Sequence, residues 1–169
     1  TDVSIRVARQ HDPYDGTIDD GGKLRPLPLQ EQEWLLDALV SLGNTEMTLV
    51  HLFALLTGAR IQTILTFRVR HACLELDGAR SGEIRFPVGS GTGIDTKHDK
   101  QMVLHIPVWF YRMLHTYAGS ERARRRRVLA SGGDTEDQYL FLSVRGAPLY
   151  QGKAEALRER AFTAIVIVR

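Results

Sequence analysis

The feature that most constrains this sequence is an apolar helical stretch, Thr45 to Arg68, that is interrupted in its middle. Asn44 or Thr45 can cap its first half, and Gly58 ends or kinks that helix. Apolar residues recur at the spacing of one helical face on both sides of the break, at Leu49, Phe53, Leu56, Ile61 and Leu65. Arg60 therefore lies at a junction between two helices, where the apolar run would otherwise continue into the core.

Two interpretations of Arg60 follow from this position. A single arginine at a helix junction more commonly caps a helix or pairs with a neighbouring carboxylate. The alternative is a rigid cationic fork at the mouth of a packed domain, and such a fork suits a phosphate because a guanidinium presents two parallel donors.

The segments before this stretch predict an arm followed by a helix. Residues 1–27 are rich in glycine, proline and aspartate, which is typical of an extended arm or linker. Acidic residues in the first turn, an apolar face and Gly43 as a stop predict a helix from Gln30 to Leu42. Residues 28–169 are then expected to form one packed domain.

After His71 the period of the sequence changes from helical to alternating. CLELDG, GEIRFPVG and KQMVLHIPV, separated by turn-forming residues, predict a three-stranded antiparallel sheet. A helix is expected from Pro107, a buried segment at YLFLS, and a last helix at KAEALRERAFTAIVIVR, although its IVIV is also strand-prone. The predicted fold class is α+β, mainly helical with a small three-stranded sheet.

Composition narrows the partners only slightly. The 169 residues, 43% of them hydrophobic, suit one globular domain, and a net charge of +2 favours no partner by itself. The run ERARRRR, Glu121 to Arg127, is either a nucleic-acid-binding patch or a solvated helix end. Cys73 is the single cysteine, which excludes an internal disulfide and favours a reducing compartment.

No signal core or long apolar span is present, so no membrane partner is expected and the chain is interpreted as cytoplasmic. The histidines lack metal-ligand spacing, and GSGTG lacks the lysine and hydroxyl residue of a P-loop. Neither a metal nor a nucleotide cofactor is therefore expected.

Three motifs occur in order along the chain: LLTGARIQTILTF, then TKHDKQMVLHIPV, then DQYLFLSVRGAPLY. Together they resemble the catalytic domain of the tyrosine recombinase (phage integrase) family. That family reads roughly TGLRxxE on a helix, KTGKxRxVPL in a hairpin and YLFxxxxGxPL further on. The resemblance covers about Leu27 to Arg169. It implies that residues 28–169 are a partial catalytic domain that lacks its C-terminal part.

The resemblance implies roles for particular residues. Arg60 would contact the scissile phosphate, and Lys97 would protonate the leaving 5′ oxygen, with Lys100 as the alternative lysine. The implied function is site-specific DNA recombination or integration through a 3′-phosphotyrosyl intermediate, without metal or cofactor. The tyrosine nucleophile and the HxxR box would lie outside this chain, so the fragment alone is expected to be inactive.

The implied partner is double-stranded DNA, with self-assembly of the full-length protein on that DNA. Such a protein would be bacterial or phage-encoded and associated with the nucleoid. Exposed arginines give salt-dependent affinity with little sequence information. The candidates for a DNA-facing surface are Arg68, Arg70, His98, Arg122, Arg124, Arg125, Arg126 and Arg127.

The chain departs from the family pattern in ways that keep other functions open. Thr63 stands where the family has an acidic residue, and the loop before Lys97 is longer than typical. One alternative is a noncatalytic DNA-binding or regulatory module of the same fold. Another is an unrelated α+β interaction domain whose motif matches are coincidental.

Overall fold

A computed structural model of the chain describes residues 27–75, 82–152 and 156–157. The chain divides into two compact units, Thr1–Asp37 and Ala38–Arg169. Helix α1, Leu29–Leu42, begins in the described part of the first unit. It agrees with the helix predicted from Gln30 to Leu42. The remaining elements all belong to the second unit.

Helix α2, Thr45–Thr57, begins and ends where the sequence predicts. The Asn44 side chain accepts a hydrogen bond from the Met47 N–H at 3.3 Å, which satisfies one of the free amides of the first turn. Gly58 adopts a left-handed conformation, with φ of 66°, and its N–H donates to the Ala54 carbonyl at 2.9 Å. Glycine permits this reversal because it has no Cβ.

Two short helices continue from this break. Helix α3, Ile61–Leu65, starts directly after Arg60, and helix α4, Val69–Ala72, follows Thr66 and Phe67. Of the apolar face predicted for the second half of the stretch, Leu65 is buried, but the prediction is wrong for Ile61, whose side chain is 57% exposed. Ile64, which the sequence did not single out, is buried in its place. The helix is therefore interrupted at Arg60 while Ile64 and Leu65 stay in the core.

Strands β1, Glu83–Val88, and β2, Met102–Pro107, form an antiparallel pair in which Phe86 lies opposite Leu104. The prediction of a third strand is wrong for the described residues, where the sheet has two strands. Cys73, Leu74 and Glu75, the described part of the predicted first strand, are irregular. The Leu74 N–H donates to the Tyr111 hydroxyl at 2.9 Å, so this backbone bonds to a helix side chain there.

Helix α5, Val108–Ala118, follows β2 without a loop and confirms the helix predicted after Pro107. The basic run forms helix α6, Glu121–Leu129, capped by the Ser120 hydroxyl. The YLFLS segment is buried as predicted, from Tyr139 to Leu142. Of the predicted last helix, Ala156 and Leu157 are helical, and the rest lies outside the described residues.

An aromatic cluster joins these elements into one core. The Phe53 ring of α2 lies 4.8 Å from the Phe67 ring and 5.5 Å from the Phe110 ring of α5, measured between centroids. Phe67 in turn lies 5.2 Å from Phe86 of β1. Edge-to-face and tilted ring contacts of this kind add to the free energy gained by burial, so the core holds α2, α5 and the sheet together. None of the helices in the described part of the chain is long and apolar enough to cross a bilayer.

Candidate functional site

A cleft of about 320 Å³ lies between the α2 to α3 junction and the loop that precedes β2. Four residues with basic side chains line it, one from the junction and three from the loop: Arg60, Lys97, His98 and Lys100. The described lining residues include no carboxylate. Folding thus brings Arg60 together with both candidate lysines and with His98.

Arg60 reaches the cleft because of the helix break before it. The residue has an extended backbone, with φ of −70° and ψ of 150°, immediately before the first residue of α3. Its side chain is exposed, and it forms no ion pair with any carboxylate among the described residues. The guanidinium is therefore available for an anion in the cleft.

Lys97 and His98 lie in a tight 3₁₀ turn, Lys97–Asp99. The Thr96 hydroxyl donates to the Lys100 carbonyl at 2.7 Å and closes this turn on itself. His98 and Asp99 both have positive φ, 59° and 53°, which non-glycine residues rarely adopt. Such a conformation persists only where the surroundings impose it. Lys97, His98 and Lys100 are all exposed.

Two buried threonines also line the cleft. Thr63 of α3 and Thr96 of the loop are 3% and 2% exposed, respectively. Sequence reasoning named Thr63 only as a departure from a family pattern and did not find Thr96, because a single threonine carries no signal of its position in the fold. The cleft thus combines exposed cations with buried hydroxyl residues.

This arrangement can bind a phosphate group. Several cations close together, with no carboxylate among the described lining residues, repel one another, and a bound anion reduces that repulsion. Arg60 can offer two parallel donors to nonbridging oxygens, while a lysine on the other side contributes a rotatable ammonium. The described residues contain no group of three or more His, Cys, Asp or Glu side chains that could hold a metal ion.

Arg68 and Arg70 lie outside the lining of this cleft and contact the 136–139 segment. The Arg68 guanidinium lies 3.7 Å from the centroid of the Tyr139 ring, and its Nη1 donates to the Asp137 carbonyl at 3.1 Å. Arg70 forms an ion pair with the Asp137 carboxylate. Both arginines therefore have contacts within the fold. These contacts do not test the predicted role of Arg68 and Arg70 in binding DNA, which stays a prediction.

The arginines of α6 do not form a single face. Consecutive helical residues are separated by about 100°, so a run of four arginines points around the helix. Arg122 and Arg126 pair with Glu46, and Arg127 pairs with Asp134 at 2.6 Å. The side chains of Arg126 and Arg127 are only 11% and 8% exposed.

Two arginines of the run remain largely exposed. Arg124 contacts Asp134 at 3.2 Å, and Arg125 pairs with Glu121 one helical turn before it, with side chains 66% and 77% exposed. Exposed pairs of this kind are weak and break readily. Within the run, these two side chains are the best placed to meet a phosphate backbone.

The described tyrosines do not line the cleft. The Tyr111 hydroxyl donates to the His71 carbonyl, the Tyr117 hydroxyl donates to Glu46, and the Tyr139 hydroxyl accepts from the Gly152 N–H. Tyr150 is partly buried against the core. Each of these four tyrosines has a packing role, and Tyr14 lies outside the described residues.

Comparisons with protein-family models, curated proteins and solved structures gave no match for this chain. A function for the cleft therefore has to follow from its own residues and their chemistry.

Proposed function

We propose that the cleft binds a phosphodiester of double-stranded DNA and that the protein cleaves and rejoins DNA strands as a tyrosine-type recombinase or integrase. The observation that carries the proposal is the convergence of Arg60 with the lysine-bearing loop on one cleft without a carboxylate among its described lining residues. The three motifs that resemble this family contain those same residues.

The chemistry assigns a distinct task to each side of the cleft. A tyrosine hydroxyl loses its proton to solvent as its oxygen forms a bond to phosphorus, and the bond from phosphorus to the 5′ oxygen breaks. Arg60 stabilises the negative charge that grows on the nonbridging oxygens. Lys97 donates a proton to the departing 5′ oxygen, which is otherwise a strongly basic alkoxide.

The proposal assigns the attacking tyrosine to a residue outside the described part of the chain. The described tyrosines are engaged in the core, and none lines the cleft. The covalent step conserves the energy of the phosphodiester bond, so rejoining needs no nucleotide cofactor.

DNA binding tests the first half of the proposal. We expect Arg60→Ala to weaken binding of a fluorescent duplex at least about tenfold, because charge-assisted hydrogen bonds to phosphate are lost. The slope of log affinity against log salt should also decrease by about one. Arg145→Ala, which removes an exposed arginine outside the cleft lining, is the matched control. Equal affinity and slope for Arg60→Ala and wild type would remove the cleft from the DNA interface.

A DNA substrate with sulfur in place of the scissile 5′ oxygen tests the proton donor in the full-length protein. Lys97→Ala should lose covalent adduct formation with normal DNA and regain it with the sulfur substrate. The reason is that a thiol has a pKa of about 8.5 and leaves as a thiolate without a proton. Arg60→Ala should stay impaired with both substrates, and rescue of Lys100→Ala instead would move the role to Lys100.

A noncatalytic DNA-binding or regulatory module is the second candidate. Buried Thr63 favours it, because an acidic residue at that position would support Arg60 and threonine carries no charge. This candidate predicts the same loss of DNA binding in Arg60→Ala, with no covalent adduct in the full-length wild type on either substrate.

A further inference from the structure

One buried hydroxyl connects the two sides of the cleft. Thr66, which is 1% exposed, ends α3 and donates from Oγ1 to the Gln62 carbonyl at 2.9 Å. The same oxygen accepts a hydrogen bond from the Asp95 N–H at 3.0 Å. Asp95 lies two residues before Lys97. The hydroxyl therefore links the helix that begins after Arg60 to the loop that carries Lys97.

The link is in a well-packed environment. A Cβ placed on Gly152 would lie 3.8 Å from Thr66 Cγ2 and 3.8 Å from the Asp95 carboxylate, so a third segment packs against the same point. Because water is largely excluded around Thr66, losing the acceptor leaves the Asp95 N–H without an easy replacement. The Thr96 hydroxyl, by contrast, closes the loop on itself.

We propose that Thr66 is a positioning residue that sets the separation between Arg60 and Lys97 across the cleft. This role rests on the proposed function, in which one phosphodiester contacts both side chains. A loop free to move by even an ångström would keep its charge but lose the fixed geometry that a two-sided contact needs. Thr66 touches neither the phosphate nor the reacting atoms and acts through Lys97.

Conservative variants test this role by duplex binding. Thr66→Val, which removes the hydroxyl and keeps the shape, should weaken binding by about two- to tenfold, the range of one net hydrogen bond. Thr66→Ser should restore binding. Thr48→Val is the matched control, because the Thr48 hydroxyl also donates to a carbonyl four residues earlier, Asn44 at 3.1 Å, and does not line the cleft.

A double-mutant cycle separates positioning from general destabilisation. If Thr66 acts through Lys97, Thr66→Val should cause no further loss of affinity in a Lys97→Ala background. An equal loss in both backgrounds would overturn the positioning role. Arg60→Ala, measured alongside, distinguishes the two proposals. If Arg60→Ala weakens binding and Thr66→Val does not, only the role of Thr66 fails. If Arg60→Ala has no effect on DNA binding, the proposed function is wrong, and the role of Thr66, which rests on it, is wrong with it.

Amide hydrogen exchange gives a readout that does not depend on DNA affinity. In Thr66→Val, the Asp95 amide should exchange at least about tenfold faster, while the sheet amides of Phe86 and Leu104 stay unchanged. If this variant does not fold, the wild type decides. Its Asp95 amide should be protected, and DNA should increase that protection. An Asp95 amide without protection in the wild type would overturn the role.

Discussion

At the scale of single residues, His71 is the side chain whose surroundings most change its chemistry. Its ring lies 5.6 Å from the Phe67 ring and 5.9 Å from the Phe86 ring, and its Nδ1 accepts the Arg68 N–H at 3.0 Å. Burial, followed by the positive charges of Arg70 and Arg68, lowers the pKa of His71 from 6.5 to about 4. The imidazole is therefore neutral at neutral pH.

We expect this histidine to make the fold sensitive to moderate acid. Between pH 6.5 and about 4 the unfolded chain binds a proton at His71 and the folded chain does not, so the free energy of unfolding falls as the pH is lowered. Across this pH interval the free energy of unfolding should fall by on the order of 3 kcal/mol. Urea unfolding at a series of pH values measures it.

His71→Asn, which keeps an acceptor near the position of Nδ1, should reduce the loss of stability across this pH range. A variant as sensitive to pH as the wild type would show that other groups are responsible.

At the scale of elements, the loop between β1 and β2 depends on a close approach of its two ends. Gly89 follows β1 with φ of +105°, and a Cβ there would overlap the Lys100 carbonyl oxygen and lie 2.9 Å from the Lys100 carbonyl carbon. A glycine at this position lets the end of β1 pass against the backbone that leads into β2. The placement of Lys97 and Lys100 depends on this packing.

Gly89→Ala should accordingly disturb the loop more than a comparable change nearby. We expect it to lower the free energy of unfolding by on the order of 3 kcal/mol and to weaken DNA binding, because both backbone strain and overlap are introduced. Gly91→Ala is the control, since Gly91 also has positive φ, +84°, but open space at its Cβ. It should cost only about 1 kcal/mol. Chemical denaturation compares the two, and equal losses would mean that overlap with Lys100 is unimportant.

At the scale of the whole molecule, a buried carboxylate connects the first turn of α2 to α5 and α6. Glu46 is 1% exposed and accepts two hydrogen bonds at 2.8 Å from Arg122 and one at 3.0 Å from Tyr117. Nη2 of Arg126 lies 2.9 Å from Oε2 of the same carboxylate. Burial alone raises the pKa of Glu46, but its bonds to Arg122 and Tyr117 and the charge of Arg126 together lower it below its ordinary value.

Glu46→Gln should destabilise the protein by about 3 to 5 kcal/mol, because Arg126, whose side chain is only 11% exposed, would lose the charge that compensates it. Glu121→Gln is the matched control. This change breaks the exposed ion pair between Glu121 and Arg125, both of which lie on α6. It should change the free energy of unfolding by less than about 1 kcal/mol. Thermal or urea unfolding of both variants gives the comparison. Similar stabilities for the two would contradict a structural role for the Glu46 cluster.

Local features of the sequence determined much of the helical framework. The cap at Asn44, the left-handed stop at Gly58 and the helix after Pro107 follow from backbone preferences that act over a few residues, so they could be predicted. The two strands of the hairpin were also predictable from alternation. The predicted first strand failed at Cys73 to Glu75, because alternation does not say whether a segment finds a partner strand or bonds to a side chain such as Tyr111.

Apart from the family resemblance, which paired Arg60 with Lys97 or Lys100 as an expectation, only the tertiary structure decided which basic residues share a site. Arg60 and Lys97 line one cleft because α3 and the hairpin loop meet at Thr66, a contact between distant residues that no local pattern encodes. The arginine run was visible as composition. Its division among Glu46, Asp134 and the exposed surface depended on the helical period and on carboxylates from other segments. Local sequence thus determined where the backbone turns, while packing determined which side chains meet.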